Sequence, residues 1–161
     1  PEDWSRFEAL GVVASMQPVH ATSDMPWAPS RLGATRIEGA YAWRRLASEP
    51  ARLAFGSDFP VESPDPRAGL YAAITCRAAN GLPPDGYRPD QRLSASEALS
   101  AFTFGAAHAA RQEQRRGRLC VGYAADLTVF DRDPLTCEPA RLLDARVLLT
   151  IIDGEVVYRA P

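Results

Sequence analysis

The stretch LAFGSDFPVESPDP, residues 53–66, decides how this chain is read. An apolar run of strand-forming character ends abruptly in Gly56-Ser57-Asp58, and Pro60, Pro64 and Pro66 hold the following residues out of regular structure. A short buried strand that empties into an acid and a stiffened loop is the pattern of parallel α/β proteins, in which chemistry gathers at the carboxyl ends of strands. Gly-Ser-Asp is also ordinary turn material, and Asp58 taken by itself reads first as the brace of a turn.

Working outward, the same alternation continues on both sides. Residues 1–11 carry Trp4, Phe7 and Leu10 on one helical face with Gly11 as a stop, and VVASM (12–16) follows as a strand. The proline-rich QPVHATSDMPWAPS (17–30) predicts a long irregular loop, and residues 33–50 predict one helix with Ile37, Tyr41 and Leu46 near one face. After the strand at 52–58, Asp65 is the expected N-cap and Pro66 the first residue of a helix that Gly81 closes. Helix, strand, loop, helix, strand, loop, helix is the order of βα units with parallel strands.

Beyond the connector GLPPDGYRPDQR the character changes. Ser94 and Glu97 form a capping box in front of an Ala-rich helix. GRLCVGYAADLTVFD predicts a glycine-turned hairpin leading into a strand, and Asp153-Gly154 between LLTII and EVVYR predicts a second hairpin. Two βα units close no barrel and complete no doubly wound sheet, so the chain reads as an incomplete α/β domain.

Composition narrows the function classes. The 161 residues carry a net charge of −2, with 18 basic residues scattered along the chain, which argues against nucleic acid as a partner. There is no lysine, so no lysine Schiff base forms here. No run approaches the roughly 20 apolar residues of a membrane span. The three cysteines, Cys76, Cys120 and Cys137, show no C-x-x-C spacing, and the expectation is reduced thiols in a cytoplasmic protein. Phosphate-binding glycine motifs are absent, which ranks a nucleotide-type binding module last.

GVVASMQPVHATSDMPWAPSRLG, YAWRRL, LAFGSDFPVESPDPRAGLYAAI and the later ADLTVFDRDP and VLLTIIDGEVVY, taken in order, resemble the C-terminal third of the amidohydrolase superfamily, over about residues 2 to 159. The resemblance is to its amidohydrolase-3 branch, the N-substituted formamide deformylase-like hydrolases. It implies the last two βα units of a (β/α)8 TIM-type barrel in residues 1–112, including the helix that follows them, and strands of a composite β-sandwich in 113–161. It also implies a metal-dependent enzyme cleaving non-peptide C–N bonds, with Asp58 as both metal ligand and general base. The divalent metal, zinc by expectation, would belong to a complete protein and not to these residues alone.

His20 and Gln17, at the end of the preceding strand, are the expected substrate contacts; a histidine satisfied by loop backbone is the competing reading for His20. His108 on the Ala-rich helix, Trp43 and Trp27 read as packing, with Trp27 open to a pocket role; Glu62 and Arg36 read as rim residues or surface ion pairs. Asp126 and Asp131 flank a strand in a structural role. The family's H-x-H and its other ligands are absent from these residues, and one carboxylate holds no catalytic metal. The chain by itself is therefore expected to be inactive and, with bare strand edges, to self-associate. The rival expectation is a catalytically dead remnant acting as a structural or assembly piece. The expected partner is a small amide-type substrate.

Overall fold

The computed structural model describes residues 3–48 and 51–161 and is a mixed α/β structure. Helix α1 (Arg6–Ala9) is short, and Gly11 at φ +64° turns the chain into β1 (Val13–Met16). Strand β2 (Arg52–Phe55) lies parallel to β1 in unbroken register, from Val13 opposite Arg52 to Met16 opposite Phe55. Between the strands run α2 (Pro18–Asp24), α3 (Ala28–Arg36) and α4 (Trp43–Ser48).

Two expectations fail in this connection. Residues 17–30 are largely helical, because Pro18 and Pro29 fall in the first turns of α2 and α3, where a missing N–H costs nothing and a fixed φ assists. The single helix expected over 33–50 is broken instead. Gly33 leaves helical geometry at φ +74°, Ile37–Gly39 tightens to a 3₁₀ turn, and Tyr41 sits at φ +53° before α4 begins. Residues 49 and 50 of that expectation lie outside the described residues.

Helix α5 (Pro66–Thr75) starts as the sequence predicts: the Asp65 carboxylate accepts a 3.0 Å hydrogen bond from the Arg67 amide. It stops at Cys76, which takes the left-handed conformation at φ +54°, and not at Gly81. Helix α6 (Ala95–Ser100) carries the expected capping box between Ser94 and Glu97. It runs through a π-helical segment, Ala101–Gly105, into α7 (Ala106–Ala109). Gly105 there lies directly over the Leu53 carbonyl oxygen, closer than any side chain would permit. This glycine lets the helix settle onto β2.

The core forms between β2 and these helices. Phe55, Trp43, Leu70, Ala73, Cys76, Leu93, Ala98 and Ala101 are buried together, and Phe55 makes edge-to-face contacts with Trp43 and Phe102 at 6.3 and 5.5 Å. Leu142, on a 3₁₀ turn near the C-terminus, joins the same cluster.

The C-terminal part is a three-stranded antiparallel sheet in the order β3 (Leu127–Phe130), β4 (Val147–Ile152), β5 (Glu155–Arg159). The Asp153-Gly154 hairpin forms as expected, with both residues at positive φ (+50° and +86°). The hairpin expected over GRLCVGYAAD does not form: 117–126 is a succession of turns and only Leu127 onward pairs. Leu119 and Val121 in it point to solvent, so they lack the apolar face that would hold two strands together.

Candidate functional site

The parallel register brings the carboxyl ends of β1 and β2 side by side. Met16 pairs with Phe55, and the Gly56 amide still donates to the Met16 carbonyl at 3.3 Å, one residue past the strand. Gln17 and Asp58 therefore leave the same rim of the sheet, one and three residues beyond paired partners.

Asp58 sits at φ +58°, a conformation that Asp tolerates better than most residues. The turn that holds it is made by other groups. The Ser57 hydroxyl accepts from the Phe59 amide at 3.3 Å, and the Asp58 carbonyl accepts from the Val61 amide at 2.8 Å. The Asp58 carboxylate is exposed and takes no hydrogen bond among the described residues. The turn-bracing reading of this side chain is thus excluded, and its carboxylate is free for a ligand or a proton.

Gln17 is the N-cap residue of α2, extended at φ −123°, with no capping bond from its side chain. His20 lies in the first turn of α2, and its Nε2 is buried without a partner. The competing reading, a histidine satisfied by loop backbone, does not hold for that nitrogen. The His20 backbone amide donates to the Gln17 carbonyl at 3.0 Å, and among the described residues no side-chain hydrogen bond joins Gln17, His20 and Asp58 to one another. A cleft of about 260 Å³ opens beside the rim, walled by Val19, Phe55, Ser57, Pro64, Pro66 and Phe102. Ser57 and Val19, neighbours of the expected residues, line it. The sequence offers no signal for them, because chain adjacency does not say which of two consecutive side chains turns inward.

The other residues considered divide cleanly. Trp43 is buried packing and His108 pairs with Glu113 at 3.2 Å near the amino end of β2, beside Arg52. Arg36 donates to the Leu32 carbonyl, and Glu62 makes no ion pair among the described residues. Asp131 braces the end of β3 against the start of β4, accepting from the Arg132 side chain and the Arg146 amide, which pull its carboxyl down to about 2.

A catalytic divalent cation ordinarily takes three or more protein ligands. Among the described residues no three of His, Cys, Asp and Glu come together to hold one. The described residues do not make a closed metal centre.

The family model for the amidohydrolase family matches residues 1–158 of the chain. The chain belongs to the amidohydrolase family. Within it, this family member is 34% identical over 153 residues to YtcJ of Bacillus subtilis, an amidohydrolase by name, covering 95% of this chain and 29% of that protein. It is 31% identical over 115 residues to the N-substituted formamide deformylase of Arthrobacter pascens, covering 71% of this chain and 21% of the deformylase. These relatives place it in the amidohydrolase-3 branch. An uncharacterized metal-dependent hydrolase from Pyrococcus horikoshii superposes with a TM-score of 0.75 at 30% identity, over 86% of this chain and 28% of that one. The chain thus spans less than a third of the length of each of these three proteins. Among the described residues no helix is long and apolar enough to cross a membrane.

Proposed function

We propose that this amidohydrolase-family chain is the C-terminal part of a metal-dependent enzyme that hydrolyses an amide-type, non-peptide C–N bond, and that Asp58 is its catalytic residue. In this reading β1 and β2 are the last two strands of a (β/α)8 barrel, residues 1–112 belong to that barrel, and residues 113–161 contribute strands to a β-sandwich. The observation that carries it is the free Asp58 carboxylate at the end of a parallel strand, beside the end of its neighbour. The likeness to named amidohydrolases supports the reaction class.

Asp58 has two tasks in this reading. It is one ligand of a divalent cation, zinc by preference, whose remaining ligands lie outside these residues. Such a cation makes bound water acidic near neutral pH. As a general base, Asp58 takes a proton from the attacking water and returns it to the departing nitrogen, so the amine leaves neutral. Gln17 and His20 contact the substrate, His20 through the nitrogen that otherwise has no partner. The substrate is a small amide; nucleic acid and membrane have no part, while bare strand edges favour association with further copies of the chain.

The test joins these 161 residues to the upstream portion of YtcJ that they do not cover, and compares the product with the chain alone. The joined protein is expected to bind zinc and hydrolyse N-substituted formamides, and the chain alone to do neither. Asp58→Asn in the joined protein should lower kcat by about 10²–10⁴-fold. Full activity in that variant would remove Asp58 from the chemistry, and turnover by the chain alone would remove the need for outside ligands.

A further inference from the structure

A second cavity, of about 260 Å³, lies at the far end of α5 from the Asp58 loop, lined by Tyr71, Thr75, Arg77, Arg92, Glu138 and Pro139 among others. Helix α5 has ten residues, about 15 Å of rise, so this cavity stands well away from the rim of the sheet. Two guanidinium groups share its wall, and neither has a carboxylate at ion-pairing distance among the described residues.

The two arginines are not equivalent. Arg92 donates from Nε to the Thr75 carbonyl at 3.2 Å and from Nη2 to the Asp85 carbonyl, so it answers the negative end of α5. That end carries only about half an elementary charge, which one guanidinium more than balances. Arg77 is the surplus. Its side chain has no partner among the described residues, and its Nε is buried and unbonded. Arg77 is half-buried, and a partly desolvated cation without a counter-charge is costly; in a shared cavity the second guanidinium repels it further. The Tyr71 hydroxyl also lacks a hydrogen-bond partner among the described residues.

We propose that this cavity binds a small oxyanion, a phosphate or carboxylate group, held chiefly by Arg77 with Arg92 and the Tyr71 hydroxyl beside it. The planar guanidinium fork suits two oxygens of either group, and an anion there supplies the counter-charge that both arginines lack. Glu138 is the carboxylate on the wall and weakens the site by repulsion. This inference is independent of the hydrolase reading, since no residue of the cavity is assigned to that chemistry.

The test titrates the full chain with inorganic phosphate, by calorimetry and by phosphorus NMR linewidth, with chloride holding the ionic strength constant. Saturable binding is expected. Arg77→Gln should weaken it at least about tenfold, the loss of a charge-assisted fork. Glu138→Gln should tighten it about two- to fivefold, the removal of one screened repulsion. Acetate competing with phosphate assigns the site to oxyanions in general; its failure to compete assigns it to tetrahedral ones. Absence of saturable binding, or Arg77→Gln binding like the parent, overturns the proposal. Should that variant not fold, an unchanged affinity in Glu138→Gln overturns it alone.

Discussion

Arg44 and Glu97, 53 positions apart, meet through two parallel hydrogen bonds of 2.7 Å, Nη1 to Oε1 and Nη2 to Oε2. The pair fastens α4, which feeds β2, to the start of α6, so the helix that covers β2 is held at both ends: by this fork and by Gly105 over Leu53. The Arg44 guanidinium, with the Ser94 hydroxyl, pulls the Glu97 carboxyl down to about 2.

That depressed value sets a pH window. Glu97 is charged in the folded chain at pH values where the unfolded chain has already taken up a proton. Its contribution is therefore whole above the unfolded value near 4.5 and is lost as pH falls toward 2. Both side chains are more than a third exposed, at 35% and 43%, so screening keeps the contribution to about 1 kcal/mol or less. Urea titrations should show Glu97→Gln less stable by that amount at pH 7, by only part of it at pH 3, and indistinguishable from the parent only once the pH is below the folded value near 2.

Gly105→Ala should be among the most damaging small substitutions in the chain. A methyl group there meets the Leu53 carbonyl, which belongs to a strand and has nowhere to move. The expected loss is about 1–3 kcal/mol or more, read as a lowered Tm. Gly69→Ala makes the opposite control: its new Cβ would stand 2.5 Å from the tip of the half-buried Phe102 ring, a side chain able to swing aside, and the loss should be smaller.

Asp58 should be dispensable for folding. Its carboxylate bonds to nothing among the described residues, and its φ of +58° favours glycine over any side chain. Asp58→Gly is expected to leave the melting temperature unchanged or raise it, by up to about 1 kcal/mol of stability. A marked loss of stability would show that the acid is structural.

The three thiols should separate by access. Cys76 is buried in the main core and burial pushes its thiol up to about 11, whereas Cys120 is exposed and Cys137 half-buried. Titration with a disulfide reagent at pH 8 is expected to give one fast thiol from Cys120, a slower one from Cys137, and Cys76 only after denaturant is added.

Much of this was legible in advance because it is written in local chemistry. Asp65 and Pro66 start a helix, Ser94 and Glu97 cap one, and Asp153-Gly154 turns a hairpin through backbone preferences that need only near neighbours. The strand before Asp58 and the family resemblance of its loop were equally visible. Prolines misled the reading of residues 17–30, since a proline stops a helix or starts one according to the turn it occupies, and the residues beside it do not say which. The hairpin absent from 117–126 had turn residues but no partner surface.

What tertiary structure alone decided concerns groups brought together from distant parts of the chain. Sequence could nominate Asp58 but not show that Ser57 and backbone hold its turn, leaving the carboxylate unused. It could count arginines but not reveal that Arg92 is consumed by the end of α5 while Arg77 is left without a partner in the same cavity. Short-range propensity acts through each residue's own dihedral angles, whereas pairing, burial and vacancy depend on which side chains arrive at one place, and only the packed fold specifies that.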